Sequence, residues 1–338
     1  MKLVSIVIPT NKSSSVWKPL LVCIAQQSYS QIEVVLVIDR QITSREFDQI
    51  SKEVHIVLDK TWVQVSLITT HNTTFIAGKG ASFVRNYGAE VATGNYALYM
   101  DDDGMIAPDF VGAMVTRYED IFHELWHDFI LSPTIMYRDT GHIQTQWFDR
   151  IWRAMCRPEP HYALSGKAKW WKHLISWYSH FDIIQQCVTI QMKSAMGLFA
   201  PRTVFQIIQF DKQFEFVYED LDFGYRAHHA WFTMLVATDI VINHMEKLRN
   251  LSQTSYLWSP RNVYYKARNR IFFVRNNAPW WGKVIFYSCG FWMQLWWFGI
   301  IILYDGSDKL ISLWMLIKGT WDGLFHYQMN YSQKILKE

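Results

Sequence analysis

Over the first 130 residues, short and nearly unbroken apolar runs alternate with stretches whose apolar positions recur at helical spacing. The runs Leu3–Ile8, Glu33–Ile38, Val54–Leu58, Val65–Thr69 and Tyr96–Met100 read as strands. Trp17–Gln27, Ala81–Val91 and Asp109–Tyr118 read as helices. Strands that are apolar on both faces belong in a mostly parallel sheet covered by helices on both sides, so the expected class is α/β. Ligands of such sheets bind beyond the carboxyl ends of the strands. Pro9-Thr10, Asp39-Arg40 and Asp101–Asp103 each follow a predicted strand at that end.

The rhythm then changes. Residues 139–187 fit it poorly and read as an insertion. Between Arg150 and Lys172 lie six basic residues (Arg150, Arg153, Arg157, Lys167, Lys169, Lys172) and one acidic, Glu159. Trp147, Trp152, Trp170, Trp171 and Trp177 lie in or beside that stretch. Such a mixture suits an anionic bilayer or a diphosphate-bearing lipid, and equally an amphipathic helix packed through Trp. Further on, a helical pattern runs from Tyr218 to about Ala230, with strands near Thr233–Val236 and Ile240–Ile242.

From Val284 to Tyr304 the chain has 21 residues without a formal charge, apolar on every helical face. That is roughly the ~20 residues needed to cross a bilayer core. Trp280, Trp281, Trp292, Trp296 and Trp297 cluster there as an interfacial belt would, and Lys266, Arg268, Arg270, Arg275 and Lys283 flank it upstream. Gly290, Gln294 and Gly299 weaken the spanning reading, and a second apolar patch, Leu310–Ile317, is placed to fold back. The expected division is a catalytic domain over 1–250, containing the 139–187 insertion, and a helical region over 251–338. Within the latter, 284–304 is expected to be membrane-embedded or amphipathic, on the cytoplasmic face.

Composition narrows the classes. The length of 338 residues suits one large domain or a domain with an appendage. The formal charge of +3 is too small to imply a nucleic-acid partner. Charged residues make up 19%, below the roughly 25% of soluble domains. Cys23, Cys156, Cys187 and Cys289 show no metal or disulfide spacing and read as reduced thiols of a cytosolic compartment. The opening Met1–Thr10 is too short for a signal segment and reads as a first strand.

The candidate chemistry lies in two acidic clusters. Tyr99-Met-Asp-Asp-Asp-Gly104 closes an apolar run with three adjacent carboxylates, which repel one another unless a cation compensates them. In an extended backbone Asp101 and Asp103 share a side, which suits Mg²⁺ or Mn²⁺ completed by a diphosphate. A solvated turn is the plainer reading. The second cluster, Glu219-Asp220-Leu-Asp222, opens the later helix. There the macrodipole is expected to keep Asp220 ionised near neutral pH, and simple capping accounts for Glu219 and Asp222.

Taken in order, these segments resemble the family 2 glycosyltransferases, inverting enzymes of GT-A fold. Val4-Ser-Ile-Val-Ile-Pro-Thr10 is similar to that family's opening strand. Glu33-Val-Val-Leu-Val-Ile-Asp39 is similar to the strand whose final Asp recognises the nucleotide base. Gly80-Ala-Ser-Phe-Val-Arg-Asn-Tyr-Gly-Ala89 and Ala92-Thr-Gly-Asn-Tyr96 resemble the helix and turn before the metal motif, and Asp101-Asp-Asp103 the motif itself. Phe210-Asp211 with Glu219-Asp220-Leu-Asp222 resembles the acceptor-side motif, and Val241-Ile-Asn-His244 the later strand ending in His. Tyr264-Tyr-Lys-Ala-Arg-Asn269 resembles members that add rhamnose or galactofuranose to surface glycans. Arg40-Gln41 departs from the family's usual second Asp, and no Gln-x-x-Arg-Trp of the polymer synthases is present.

The resemblance implies a GT-A sheet and a UDP-, dTDP- or GDP-sugar donor. It implies Mg²⁺ or Mn²⁺ held by Asp101 and Asp103 with His244, and Asp220 as general base, with Glu219 as the rival. It places Pro9, Thr10, Asp39, Lys79, Arg85, Asn86 and Asp102 on the donor. The acceptor is expected to be a glycan or lipid-diphosphate-linked hydroxyl, with Arg261, Lys266, Arg268 and Arg270 facing the lipid. The alternatives are transfer to polyprenyl phosphate, a catalytically silent nucleotide-binding scaffold, and a metal-dependent nucleotidyltransferase.

Overall fold

The computed structural model describes residues 1–58, 63–69, 80–138, 183–184, 187–190, 195–245, 259–305 and 308–325. The Trp-rich basic stretch of the 139–187 insertion, Lys79 and the expected domain boundary near residue 250 lie outside these residues.

In chain order the elements begin β1 (Val4–Thr10), α1 (Ser14–Ala25), β2 (Ile32–Ile38), α2 (Ser44–Leu58), β3 (Gln64–Thr69), α3 (Ala81–Val91) and β4 (Tyr96–Tyr99). There follow β5 (Gly104–Ile106), α4 (Phe110–Leu125), β6 (Ile130–Tyr137), β7 (Ile183–Ile184), β8 (Cys187–Ile190), β9 (Phe199–Pro201) and α5 (Arg202–Ile207). The chain continues with α6 (Glu219–His229), β10 (Met234–His244), α7 (Pro260–Asn277), α8 (Trp280–Ile285), a π-helical turn (Phe286–Gly290), α9 (Phe291–Asp305) and α10 (Lys309–Phe325).

The strands form one sheet in the order β3-β2-β1-β4-β9-β6-β10-β8-β7, with β5 pairing β10 off this path. β3, β2, β1 and β4 run parallel to one another, and β6 runs parallel to β10. β9 runs antiparallel to both β4 and β6, and β8 runs antiparallel to β10. The sheet is therefore mixed and not mostly parallel. Apart from β5, the strands that run antiparallel come from the second half of the chain, where short runs such as Phe199–Pro201 carry no period of their own.

Both faces are covered, as near-continuous apolar strands require. On one face Val4, Ile6, Ile8, Val34 and Leu36 pack under Trp17, Leu20 and Ile24 of α1, Val54 of α2 and Met114 of α4. On the other, Val7, Val35 and Val37 pack under Val84 of α3, Phe205 of α5 and Phe223 of α6. Alternation along each strand sends successive side chains to opposite faces.

Val54–Leu58, expected as a strand, is the last turn of α2. Ile50, Val54 and Leu58 recur at four-residue spacing and are the buried positions of that helix, so the period over the longer window outweighs the short Val-His-Ile-Val-Leu run. The two strands expected near 233–242 are one strand, β10, whose register against β6 shifts between Ala237 and Val241. That irregularity is a bulge, which breaks the apparent pattern without ending the strand.

The C-terminal helices pack on α7. Phe298 and Ile302 of α9 and Leu316 of α10 meet Val263 and Ala267, so the Leu310–Ile317 patch does fold back. The uncharged run 284–304 is divided among α8, the π turn and α9, and among the described residues no helix is long and apolar enough to cross a membrane. Lys266, Arg268 and Arg270 are buried on α7, and only Arg261 of that basic group is exposed. The expectation that this group faces lipid headgroups is corrected for those three, because α7 is the central helix of the unit and keeps little free surface.

Gly319 of α10 lies against α7 so closely that a Cβ would stand 2.4 Å from the Tyr264 carbonyl oxygen, while Gly299 of α9 has nothing within 4 Å. Alanine normally favours a helix over glycine by about 1 kcal/mol. Gly299→Ala is expected to raise the urea midpoint. Gly319→Ala is expected to lower it, with a cost of about 1–3 kcal/mol from overpacking.

Candidate active site

The carboxyl ends of β1, β2 and β4 meet, as parallel neighbours must. The Asp39 N–H after β2 donates to the Thr10 carbonyl at 2.7 Å, and the Thr10 hydroxyl donates to Asp102 Oδ2 at 2.6 Å. The acidic triplet is not an extension of the strand. Asp101–Gly104 forms a turn in which the Gly104 N–H donates to the Asp101 carbonyl at 3.2 Å. Asp101 and Asp103, expected on one side of an extended backbone, therefore stand on a turn.

Each carboxylate has a nitrogen partner, and Lys12 is shared by two of them. Asp101 Oδ1 receives Arg85 Nη2 at 3.2 Å. Asp102 is buried and takes Lys12 Nζ at 2.8 Å in addition to Thr10, so both of its oxygens tie the end of β1 to the turn. Asp103 Oδ1 lies 3.1 Å from His244 Nε2, and its Oδ2 lies 3.5 Å from Lys12 Nζ. Burial acts to raise the Asp103 carboxyl, but His244 and Lys12 outweigh it and hold it below the usual carboxylate range. For Asp102 burial wins over Lys12 and Thr10, and its carboxyl is raised. Lys12 was not among the candidates taken from the sequence. Its signal was its place two residues beyond the end of β1.

His244 closes β10, and its neighbour's N–H (Met245) donates to the Asp103 carbonyl at 2.9 Å. Pairing of β10 with β5 sets His244 opposite Gly104, and the Tyr137 ring stacks on the imidazole at 5.8 Å. Among the described residues no three His, Cys, Asp or Glu side chains converge as a metal cage. A Mg²⁺ ion takes one or two carboxylates and completes its shell with water and phosphate oxygens. Of the residues expected to hold such an ion, Asp103 and His244 lie against each other and Asp101 is paired with Arg85.

The second acidic cluster reaches the first through one side chain. Arg85, buried in α3, holds Asp101 through Nη2 and Glu219 Oε1 through Nη1, both at 3.2 Å. Its guanidinium, expected on a diphosphate, pairs with these two carboxylates. Asn86 is likewise occupied: its Nδ2 donates to the Phe210 carbonyl and its Oδ1 accepts the Phe210 N–H, both at 2.8 Å. This fixes the start of the 210–218 loop. Pro9 is half-buried within β1, and Asp39 Oδ2 accepts the Gly80 N–H at 3.3 Å.

Glu219 and Asp220 open α6, and the Leu221 N–H donates to Asp220 Oδ1 at 2.8 Å. The macrodipole does not keep Asp220 ionised as expected. Burial, followed by the Glu219 charge, pushes its carboxyl up to about 7, against the lowering effects of the Leu221 N–H and Arg85. Asp222 is wholly buried, with Oδ2 on Arg226 Nε at 2.7 Å and Oδ1 on Asn277 Nδ2 at 2.9 Å. Its two oxygens join α6 to α7, which removes it as a base and as a cap.

The turn before α6 is strained. Val217 and Tyr218 have φ of 63° and 72°. Left-handed φ costs of order 1–3 kcal/mol for a non-glycine residue and persists only where the surroundings impose it. Asn269 of α7, wholly buried, donates from Nδ2 to the Phe216 and Val217 carbonyls at 2.7 and 2.8 Å. Arg268 Nη2 donates to the Gln213 carbonyl at 2.9 Å, and Ser82 Oγ to the Phe214 carbonyl at 2.6 Å. Gly80, at φ 92°, lets α3 begin against Glu215, where a Cβ would stand 2.3 Å from the carbonyl oxygen. The segment Tyr264–Asn269 thus has a physical role, which is to hold the loop that presents Glu219 and Asp220.

Residues 5–161 match the sequence model of glycosyl transferase family 2. This range carries Asp39, Arg85 and Asp101–Asp103 and stops before Glu219, Asp220 and His244. No curated protein matches the chain in sequence. Among solved structures the chain is similar to S. aureus TarS residues 1–349, at 15% identity and a TM-score of 0.52, covering 96% of this chain and 81% of that one. The TarS fragment with UDP-GlcNAc matches at 15% identity, covering 96% of this chain and 73% of that one, with a TM-score of 0.47. Against a longer TarS chain the identity is 14% and the TM-score 0.46, and the present chain covers 96% of itself but spans only 44% of that length. At such identity the likeness shows the fold alone, an α/β GT-A-like mixed sheet flanked by helices.

Two outcomes follow for this site. Between the ordinary carboxylate pKa and about 7 the folded protein retains a proton on Asp220 that the unfolded chain has lost. That contribution to stability is full below the ordinary range and lost as pH rises through about 7, so Asp220→Asn is expected to flatten the fall in urea midpoint over this window. Asn269→Leu leaves the Phe216 and Val217 carbonyls without their donor, and is expected to cost about 1–3 kcal/mol in equilibrium unfolding.

Proposed function

We propose that this protein transfers a glycosyl group from a nucleotide sugar to an acceptor hydroxyl, in a single displacement that inverts the anomeric centre. The observation that carries the reading is the Arg85 bridge, which sets the Glu219-Asp220 pair beside the acidic turn at the carboxyl edge of the sheet. A donor diphosphate at that edge lies between a cation-compensated carboxylate set and a raised carboxyl.

In this reading Asp220 accepts the proton of the acceptor hydroxyl as its oxygen bonds to the anomeric carbon. The bond from that carbon to the diphosphate breaks, and the nucleoside diphosphate leaves with the electron pair. A carboxyl near 7 is matched to this task, because it is ionised enough to act and basic enough to take the proton. Glu219, held by Arg85, keeps negative charge beside Asp220 and supports its basicity. Asp101 and Asp103, with His244, would hold Mg²⁺ or Mn²⁺, which supplies Lewis-acid neutralisation of the leaving diphosphate. Lys12 and Thr10 position Asp102, and thereby the turn that carries the other two. Asp39, just past β2, is the proposed contact for a uracil or thymine base.

The proposed acceptor is a glycan or lipid-diphosphate-linked hydroxyl at the cytoplasmic face of a membrane, in surface-polysaccharide synthesis. The apolar C-terminal helices support that placement. Rhamnose or galactofuranose is the proposed sugar type, on the strength of the Tyr264–Asn269 segment. UDP-GlcNAc, named in a TarS complex, belongs in the donor panel beside dTDP- and GDP-sugars.

The test is release of nucleoside diphosphate from that panel with Mn²⁺ or Mg²⁺. One donor is expected to be cleaved, with kcat/KM rising through an apparent pKa of about 7. Asp220→Asn is expected to lose about 10²–10⁴-fold in kcat with little change in donor KM. Asp103→Asn is expected to weaken the response to metal. Absence of release from every donor, with lipid extract present as acceptor, would overturn the proposal in favour of a silent nucleotide-binding fold.

A further inference from the structure

The last helix of the described chain is built inside out. On α10 the buried positions are Ser312, Leu316, Gly319, Thr320 and Gly323. The exposed ones include Leu310, Trp314, Ile317, Trp321 and Phe325, each between 57% and 83% exposed. They follow one another at steps of three and four residues, which makes a single stripe. A helix facing water carries the opposite pattern, with its polar side outward. Small and hydroxyl-bearing residues between packed helices, with large apolar ones outside, are the arrangement of helices whose surroundings are themselves apolar.

α9 repeats it. Its Phe298 and Ile302 turn inward to α7, while Trp292 and Trp296, more than 60% exposed, turn away. Both helices present their inner sides to α7, and each carries large apolar residues on its exposed side. Exposed apolar surface of this kind marks a site of interaction with a membrane or another protein.

Two observations favour a membrane. The exposed aromatics are dominated by Trp, whose amphipathic ring settles at the level of lipid headgroups. Among the described residues no helix is long and apolar enough to cross a membrane. The charge is also segregated. Residues 259–325 hold eight Lys and Arg against three Asp and Glu, which leaves 25 against 27 in the remainder of the chain. Lys266, Arg268 and Arg270 of these eight are buried, and the positive charge offered outward is that of Arg261, Lys309 and Lys318, which are exposed. That sign complements the anionic surface of a bilayer.

The geometry points to α9 and α10 as an in-plane docking surface for an anionic bilayer, lying in one leaflet with their Trp-bearing outer sides in the headgroup and upper acyl region. This deepens the membrane placement proposed above, but it rests on the two helices and on none of the sugar-transfer chemistry.

The test uses the full chain with phosphatidylcholine vesicles made with and without phosphatidylglycerol. The protein is expected to co-sediment with the anionic vesicles, with its Trp emission shifted to the blue. The double variant Trp314→Ser/Trp321→Ser is expected to lower the partition coefficient by about tenfold or more. Trp231→Ser, at a more exposed position but located between α6 and β10, is expected to leave it unchanged. All of these sites are on the surface, and far-ultraviolet circular dichroism checks that the variants keep their fold. A protein that remains in the supernatant with both vesicle types would overturn the proposal. So would a stable dimer without vesicles that the double variant disperses, because a second copy would then be the occupant. Nucleoside diphosphate release measured without vesicles separates the two readings: release without vesicle binding removes only the docking, and binding without release removes only the transfer.

Discussion

A buried guanidinium joins the two halves of this site. Arg85 must carry its charge inside the protein, and an unpaired buried charge is among the costliest features a fold can hold. It is balanced by Asp101 from the edge of the sheet and Glu219 from the start of α6, each at 3.2 Å. Removing either partner would strand the charge, so the position of α6 relative to the acidic turn is fixed by electrostatics as well as packing. The raised carboxyl of Asp220 depends on the same arrangement, since Glu219 beside it raises the cost of a second negative charge in a desolvated corner.

Around that link the structure spends polar groups on geometry. Asn86, Ser82 and Gly80 of the α3 region and Arg268 and Asn269 of α7 grip the loop from Phe210 to Tyr218 from two sides. The left-handed Val217 and Tyr218 are the consequence: a strained turn survives because its carbonyls are bonded to a wholly buried amide. Asp222 then fastens α6 to α7 through Asn277. The C-terminal unit is therefore mechanically part of the site. The same α7 that steadies the carboxylates carries α9 and α10 on its other side, which links the presentation of Glu219 and Asp220 to whatever the apolar outer surface meets.

Much of this was legible along the chain. Strands β1, β2 and β4 have apolar residues on both faces, and such runs admit few readings other than the interior of a helix-covered sheet. Their terminal polar residues Thr10, Asp39 and Asp101 then had to meet at one edge. Helix α3 was readable to its limits, since Gly80 and the turn residues after Val91 bound a single amphipathic period. Reading failed where a short window hid a longer one, as at Val54–Leu58, and where a bulge interrupted β10.

What the sequence determined by itself was local: which residues are apolar, at what period, and which carboxylates stand at the ends of which elements. Period and composition are properties of neighbours in the chain, and they suffice for the two-sided sheet and for an acidic edge. Only the tertiary structure decided the partners of those carboxylates, because Lys12, Arg85 and His244 come from segments far apart in the chain. It decided that Asp222 is a tether while Asp220 carries a raised carboxyl, although both stand in the first turn of α6. It decided too that the cations of α7 are buried and the tryptophans of α10 are not. Burial depends on what a face meets, and desolvation and pairing act through space, so neither is written in the order of residues.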